Sequence, residues 1–149
     1  MREVVFHKMS GAGNDFIIFD GLANAAGKGP GWASKQSRPE LVRSICRRGL
    51  SVGADGVVFL EPSTTSDFSW DFYNSDGSSA EMCGNAARCV ASLAYQLGHA
   101  DRNMKFETLA GVVAAQVHPD HSVTVELPEA NLLLQEREIL VEEDKRKGM

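Results

Sequence analysis

The chain has no hydrophobic run of membrane-spanning length, no basic excess and no even set of cysteines, and each lack removes a class of function. A spanning helix needs about 18–20 apolar residues in a row, and the 149-residue sequence offers none. The opening MREVVFHKM lacks the apolar core and cleavage site of a signal peptide, so a soluble, cytoplasmic protein is expected. Lysine and arginine number 15 against 20 aspartate and glutamate, for a net charge of −5. Nucleic acid or an anionic membrane surface would call for a clustered basic face, so neither is an expected partner. The short groups Arg43/Arg47/Arg48 and Lys145/Arg146/Lys147 read as solvated faces. Cys46, Cys83 and Cys89 make an odd set in a chain too large to depend on disulfide staples, and reduced thiols are expected. Repeats and low-complexity segments are absent.

With 43% hydrophobic residues the chain can bury a core, and one domain is expected. REVVFHKM and NDFIIFDG read as two short strands around a Ser10-Gly11-Ala12-Gly13 turn that needs unusual backbone angles. Residues 22–36, glycine-rich and aperiodic, read as a loop. In SRPELVRSICRR a helix is predicted, with Ser37 as N-cap, Glu40 closing a capping box, Gly49 as C-terminal cap, and Leu41, Ile45 and Cys46 facing the core. DGVVFLEP and DFSWDFYN give two more strands, and residues 103–128 give three, with turns at Ala110-Gly111 and Pro119-Asp120. Seven strands and two helices, with short turns between strands, predict an α+β fold on a mainly antiparallel sheet.

The second helix carries the chemistry. In SSAEMCGNAARCVASLAYQLG, Val90, Leu93, Ala94 and Leu97 recur at helical spacing, Gly98 closes the pattern, and the start falls near Cys83 to Asn85. A thiol at a helix start faces unpaired backbone N–H groups and the positive end of the helix dipole, which favour thiolate. The amides of Gly84, Asn85 and Ala86 offer a site for a carboxylate or phosphate, and Gly84 allows close approach. A metal is not expected. Cys83 and Cys89 lie about 9 Å apart along a helix and fit no ligand pair, while His118 and His121 flank a Pro-Asp turn without further ligands. His7 and His99 read as isolated, Cys46 and Cys89 as core, and Glu81 as a carboxylate in the first helical turn.

Four blocks, KMSGAGNDFIIFD (residues 8–20), SVGADGVVFL (51–60), FYNSDGSSAEMCGNAARC (72–89) and TLAGVV (108–113), resemble successive blocks of the diaminopimelate epimerases in order and spacing. Cofactor-independent proline racemases have a related cysteine motif but typically carry His where this chain has Asn85. The resemblance implies a mainly antiparallel β-sheet wrapped around a central α-helix, as one half of a two-domain fold. It implies an isomerase of lysine and peptidoglycan precursor biosynthesis that interconverts LL- and meso-2,6-diaminopimelate without pyridoxal phosphate or any other cofactor, one cysteine removing the α-proton and another reprotonating the opposite face. Cys83 matches the first catalytic cysteine, Gly84 and Asn85 match positions that hold the α-carboxylate, and Asn14 and Asn74 match polar residues of the substrate pocket. Some members have glutamine where Gly56 stands here, so that contact is absent.

Nothing after Pro128 resembles the family's second domain, which supplies the second cysteine and further substrate-gripping residues. Residues 1–128 are therefore expected to form the N-terminal epimerase domain, and 129–149 a linker or terminal segment toward a missing second domain. The isolated chain is expected to be inactive, and a homodimer of the full-length enzyme stays open. Three readings stand: half of an epimerase, or of a related racemase such as a proline racemase; a non-catalytic amino-acid binding module; and a structural domain with an inert thiol.

Overall fold

The computed structural model describes residues 4–23 and 34–128. Expectations for residues 1–3, 24–33 and 129–149, which include most of the glycine-rich loop and the whole tail, lie outside the described residues. Seven strands form one sheet in sequence order: β1 (His7–Gly11), β2 (Asn14–Asp20), β3 (Gly56–Glu61), β4 (Phe68–Asn74), β5 (Asn103–Thr108), β6 (Gly111–Val117) and β7 (Val123–Glu126). Helix α1 (Arg38–Ile45) lies between β2 and β3, and α2 (Gly84–Gln96) between β4 and β5. Each strand-to-strand turn gives an antiparallel pair, and each helix gives a parallel one, β2 with β3 and β4 with β5.

The two crossovers step the same way along the sheet from strands of opposite direction. Because such connections are right-handed, the two helices must lie on opposite faces. They do: Phe16, Ile18, Val58 and Leu60 point to the α2 side, and Ile17, Val57 and Phe59 point to the α1 side. This double cover explains why FIIF and VVFL are unbroken apolar runs, whereas β5 alternates buried and exposed residues. Helix α2 is apolar nearly all round, with Ala86, Ala87, Val90, Ala91 and Ala94 fully buried. Its small side chains let it pack against β1 and β2 at one end of the sheet and β6 and β7 at the other, so the sheet curls around it.

Several local expectations need correction. The first strand starts at His7 and runs through Gly11 into the expected turn, leaving Ala12 and Gly13, with φ of +50° and +89°, as the tight hairpin. No capping box forms at α1, because the Ser37 hydroxyl donates to the Ser34 carbonyl. The C-cap is Cys46 in place of Gly49, and Val42 is the fully buried residue of this helix, with Leu41 and Ile45 only half-buried. Leu97 is 39% exposed because α2 ends there, with Gly98 turning the chain at φ +76°. β4 and β5 pair only at Phe68↔Phe106 and Ser69↔Glu107, and a hollow of about 540 Å³ lined by Thr65, Asp67, Lys105, Gln116 and Glu126 lies between the loop before β4 and strands β5 to β7.

Candidate functional site

The loop after β4 delivers the thiol. Gly77 turns the chain with φ +84°, the Asp76 carboxylate accepts the Ser78 N–H at 2.8 Å, and the Ala80 N–H donates to the Phe72 carbonyl at 2.9 Å. The loop thus folds back along β4 and brings Cys83 to the N-cap of α2 in extended geometry, φ −145° and ψ 120°. The helix's first internal bond runs from the Ala87 N–H to the Cys83 carbonyl, so the N–H groups of Gly84, Asn85 and Ala86 precede it. Cys83 is half-buried. Glu81 is exposed and lies ahead of the helix, whose first turn has no acidic residue, contrary to the expectation from sequence.

Asn14 opens β2 beyond the hairpin, and the hairpin leans on the first turn of α2. A Cβ on Gly11 would sit 3.0 Å from the Asn85 carbonyl oxygen and 3.1 Å from Cys89 Sγ, so only glycine permits this approach without a shift. Across the contact the Asn85 side-chain amide donates to Asn14 Oδ1, and Arg88 donates to Asn85 Oδ1. Asn74 ends β4 in register with Gly56, which is in register with Phe16, so Asn14 and Asn74 share one end of the sheet. The Asn74 amide donates to Ser78 Oγ at 3.1 Å, within its own loop. A Cβ on Gly84 would meet only Arg88 and Leu127, both at 3.7 Å, so room exists in front of that position. At Gly56 a Cβ would lie 2.7 Å from the Tyr73 carbonyl oxygen, so no side chain fits there without a shift of the neighbouring strand.

Behind Asn14 lies a charged cluster that the sequence did not reveal. Arg48 forms a two-pronged pair with Asp15, at 2.5 and 3.0 Å, and reaches Asp55 at 3.0 Å. Lys8 lies 3.3 Å from Asp15, and Asn14 Nδ2 donates to Asp55 Oδ2 at 3.1 Å. Hydrogen bonding from Arg48 holds the Asp15 carboxyl well below the usual carboxylate range, and the Asn14 amide lowers that of Asp55. Both aspartates sit inside the motif blocks, but the contacts that join the two blocks, Arg48 with Asp15 and Asn14 with Asp55, span 33 and 41 residues, so composition and spacing gave no signal.

The other thiols behave as expected. Cys46 and Cys89 are buried, and burial pushes the Cys46 thiol up to about 11 and raises that of Cys89. His99 is not isolated: its Nε2 lies 2.9 Å from Asp20 Oδ2, tying the end of α2 to β2. His118 meets Thr124 Oγ1 at 2.7 Å in the β6–β7 turn. Among the described residues no group of three or more His, Cys, Asp or Glu side chains is arranged to hold a metal ion, and no helix is long and apolar enough to cross a membrane.

The family description "Diaminopimelate epimerase" matches residues 6–133 of the chain. The chain belongs to the diaminopimelate epimerase family. It is 44% identical over 113 residues to the diaminopimelate epimerase of a Nitratiruptor species, covering 76% of this chain and 41% of that one. Against the diaminopimelate epimerase of a Hydrogenobaculum species it is 44% identical over 122 residues, covering 80% and 44%. This family member thus spans less than half the length of those curated relatives. Among solved structures it resembles a probable proline racemase from Agrobacterium radiobacter with a TM-score of 0.60 at 18% identity, covering 80% of this chain and 40% of that one, which establishes a shared fold.

Proposed function

We propose that this chain is the N-terminal half of a cofactor-independent diaminopimelate epimerase, with Cys83 as one of two proton-transfer thiols. The Cys83 thiolate takes the α-proton of the substrate, and the C–H electron pair stays on the α-carbon, delocalised into its carboxylate. A thiol on the opposite face, supplied by a second domain, returns a proton with inverted configuration. Residues 1–128 form the domain that carries this half-site, and residues 129–149 lead toward the partner domain. Gly84 and Asn85 receive the α-carboxylate at the helix start, where N–H groups precede the first helical bond. Asn14 and Asn74 supply amides that both donate and accept, which suits a zwitterionic amino acid.

The observation that carries this reading is the half-buried Cys83 at the N-cap of α2, two residues from an Asn85 side chain tied to Asn14. An amino-acid α-proton is weakly acidic, and without a pyridoxal electron sink its removal depends on preorganised dipoles in a closed, water-poor site. One domain gives half of those dipoles and one thiol. The 149-residue chain alone should therefore neither epimerise diaminopimelate nor exchange its α-proton for deuterium. Mixing it with the separately expressed C-terminal domain of a relative should restore exchange, and Cys83→Ala should abolish that gain. Turnover by the isolated chain would sink the half-site reading. Binding without exchange in the mixture would favour an amino-acid binding module.

A further inference from the structure

We propose that Asp55 is a positioning residue that sets the direction of the hydrogen-bond chain running through Asn14 and Asn85 to Arg88, and so decides which amide atoms face a ligand at the start of α2. The proposal rests on the reading of this face as an amino-acid site. A carboxamide is nearly symmetric in shape, so its partners alone decide which end is oxygen and which nitrogen. Here both ends of the chain are unambiguous. Asp55 Oδ2 lies 3.1 Å from Asn14 Nδ2, and an ionised carboxylate can only accept. The Asn14 oxygen must then face Asn85 and accept from its Nδ2, which turns the Asn85 oxygen toward Arg88, a group that can only donate.

An acceptor-only terminus and a donor-only terminus permit one direction. What remains for a ligand is one N–H and one oxygen lone pair on each of the two asparagines. Reversal would exchange these and spoil the match to a carboxylate. Asp55 is itself fixed: the Asp15 N–H donates to Oδ2 at 3.1 Å, Arg48 to Oδ1 at 3.0 Å, and the Asp55 N–H to the Asp15 carbonyl at 2.9 Å. Its acidity, increased by the Asn14 amide, keeps it an acceptor at neutral pH. It reaches substrate only through Asn14.

Asp55→Ala tests this, because it removes the acceptor that fixes Asn14 Nδ2, whereas an asparagine there could keep an oxygen turned toward Asn14 and the Asp15 N–H. In the 149-residue chain, the ¹⁵N side-chain amide resonances of Asn14 and Asn85 should move, and protection of the Asn85 amide protons from exchange should fall about tenfold. Arg48→Ala removes another partner of Asp55 but not the Asn14 bond, so it should lower the melting temperature and leave those resonances in place. In the assembled two-domain enzyme Asp55→Ala should raise KM about tenfold with kcat little changed, since uniform binding is lost; a merely structural defect would lower kcat at constant KM. If Asp55→Ala does not fold, Arg88→Met frees the other terminus and must move the same resonances. Unmoved resonances in either folded variant, or identical changes in Arg48→Ala, overturn the proposal. An assembled wild type with no epimerase activity, alongside the expected amide shifts, overturns the proposed function and leaves the positioning role standing.

Discussion

Cys46 and Cys83 both cap helices, but at opposite ends and on opposite faces of the sheet. Cys46 is the C-cap of α1, packed with Val42, Val57 and Tyr73, where carbonyls point along the helix and burial, helped by the Asp15 charge, drives its thiol up to about 11. Cys83 is the N-cap of α2, half-buried, beside N–H groups with no helical acceptor. The same side chain is thus inert filler in one region and a candidate proton carrier in the other. Helix polarity and burial, which differ between the two regions, decide the chemistry available to each thiol.

The widest expected separation is catalytic. In the assembled enzyme, Cys83→Ser should cost about 10³-fold in kcat/KM, the scale of a lost general acid–base group, whereas Cys46→Ala should cost stability with kcat within about threefold of wild type because its site lies under α1. Equal losses in steady-state assays would end the contrast. Next comes reactivity. A thiol raised from 9.0 to about 11 loses about a hundredfold in thiolate fraction at neutral pH, so Cys46 should alkylate at least that much more slowly than a free peptide thiol. Mass spectrometry should find Cys83 labelled before Cys46 and Cys89, and any other order contradicts the placement of Cys83.

A smaller effect separates two glycines at the same helix start. Gly11→Ala would press a methyl against the Asn85 carbonyl and Cys89, and should cost about 1–3 kcal/mol in denaturant unfolding. Gly84→Ala finds only ordinary contacts and should leave stability within about 0.5 kcal/mol, yet it should weaken carboxylate-induced shifts of the Gly84 to Ala86 amides. If both are neutral, or both destabilise equally, the close approach of the hairpin is wrong. The smallest effect is the pH response of the cluster beside Cys46. Asp15 is depressed chiefly by Arg48, so its contribution is complete above the unfolded carboxyl value of about 4 and fades as pH falls through the lower folded value. The melting-temperature gap between wild type and Arg48→Ala should therefore be open at pH 6 and narrow in acid; a gap that widens in acid would reverse the sign.

Local features were readable because their causes are local. The α2 start at Cys83, the glycine that ends this helix and the positive-φ turn after Gly11 depend on residues within one or two turns of chain. Ser37 does stand at the N-cap of α1, but its capping box was misread because a nearby carbonyl competes for its hydroxyl, which a capping pattern does not register. Val42 was missed because α1 is short, so its burial depends on which face meets the sheet.

The sequence by itself determined that Cys83 begins a helix, that Gly84 and Asn85 follow it there, and that seven strands accompany two helices. Periodicity, capping preference and turn chemistry act over a few residues and leave their mark in the string. Only the tertiary structure decided that Asn85 meets Asn14 across 71 residues, that Asp55 and Arg88 close the two ends of that contact, and that His99 pairs with Asp20. Those partners are chosen by the right-handed crossovers and the curl of the sheet around α2. Hydrogen-bonding groups become specific only when folding excludes water and leaves each one neighbour that can complement it.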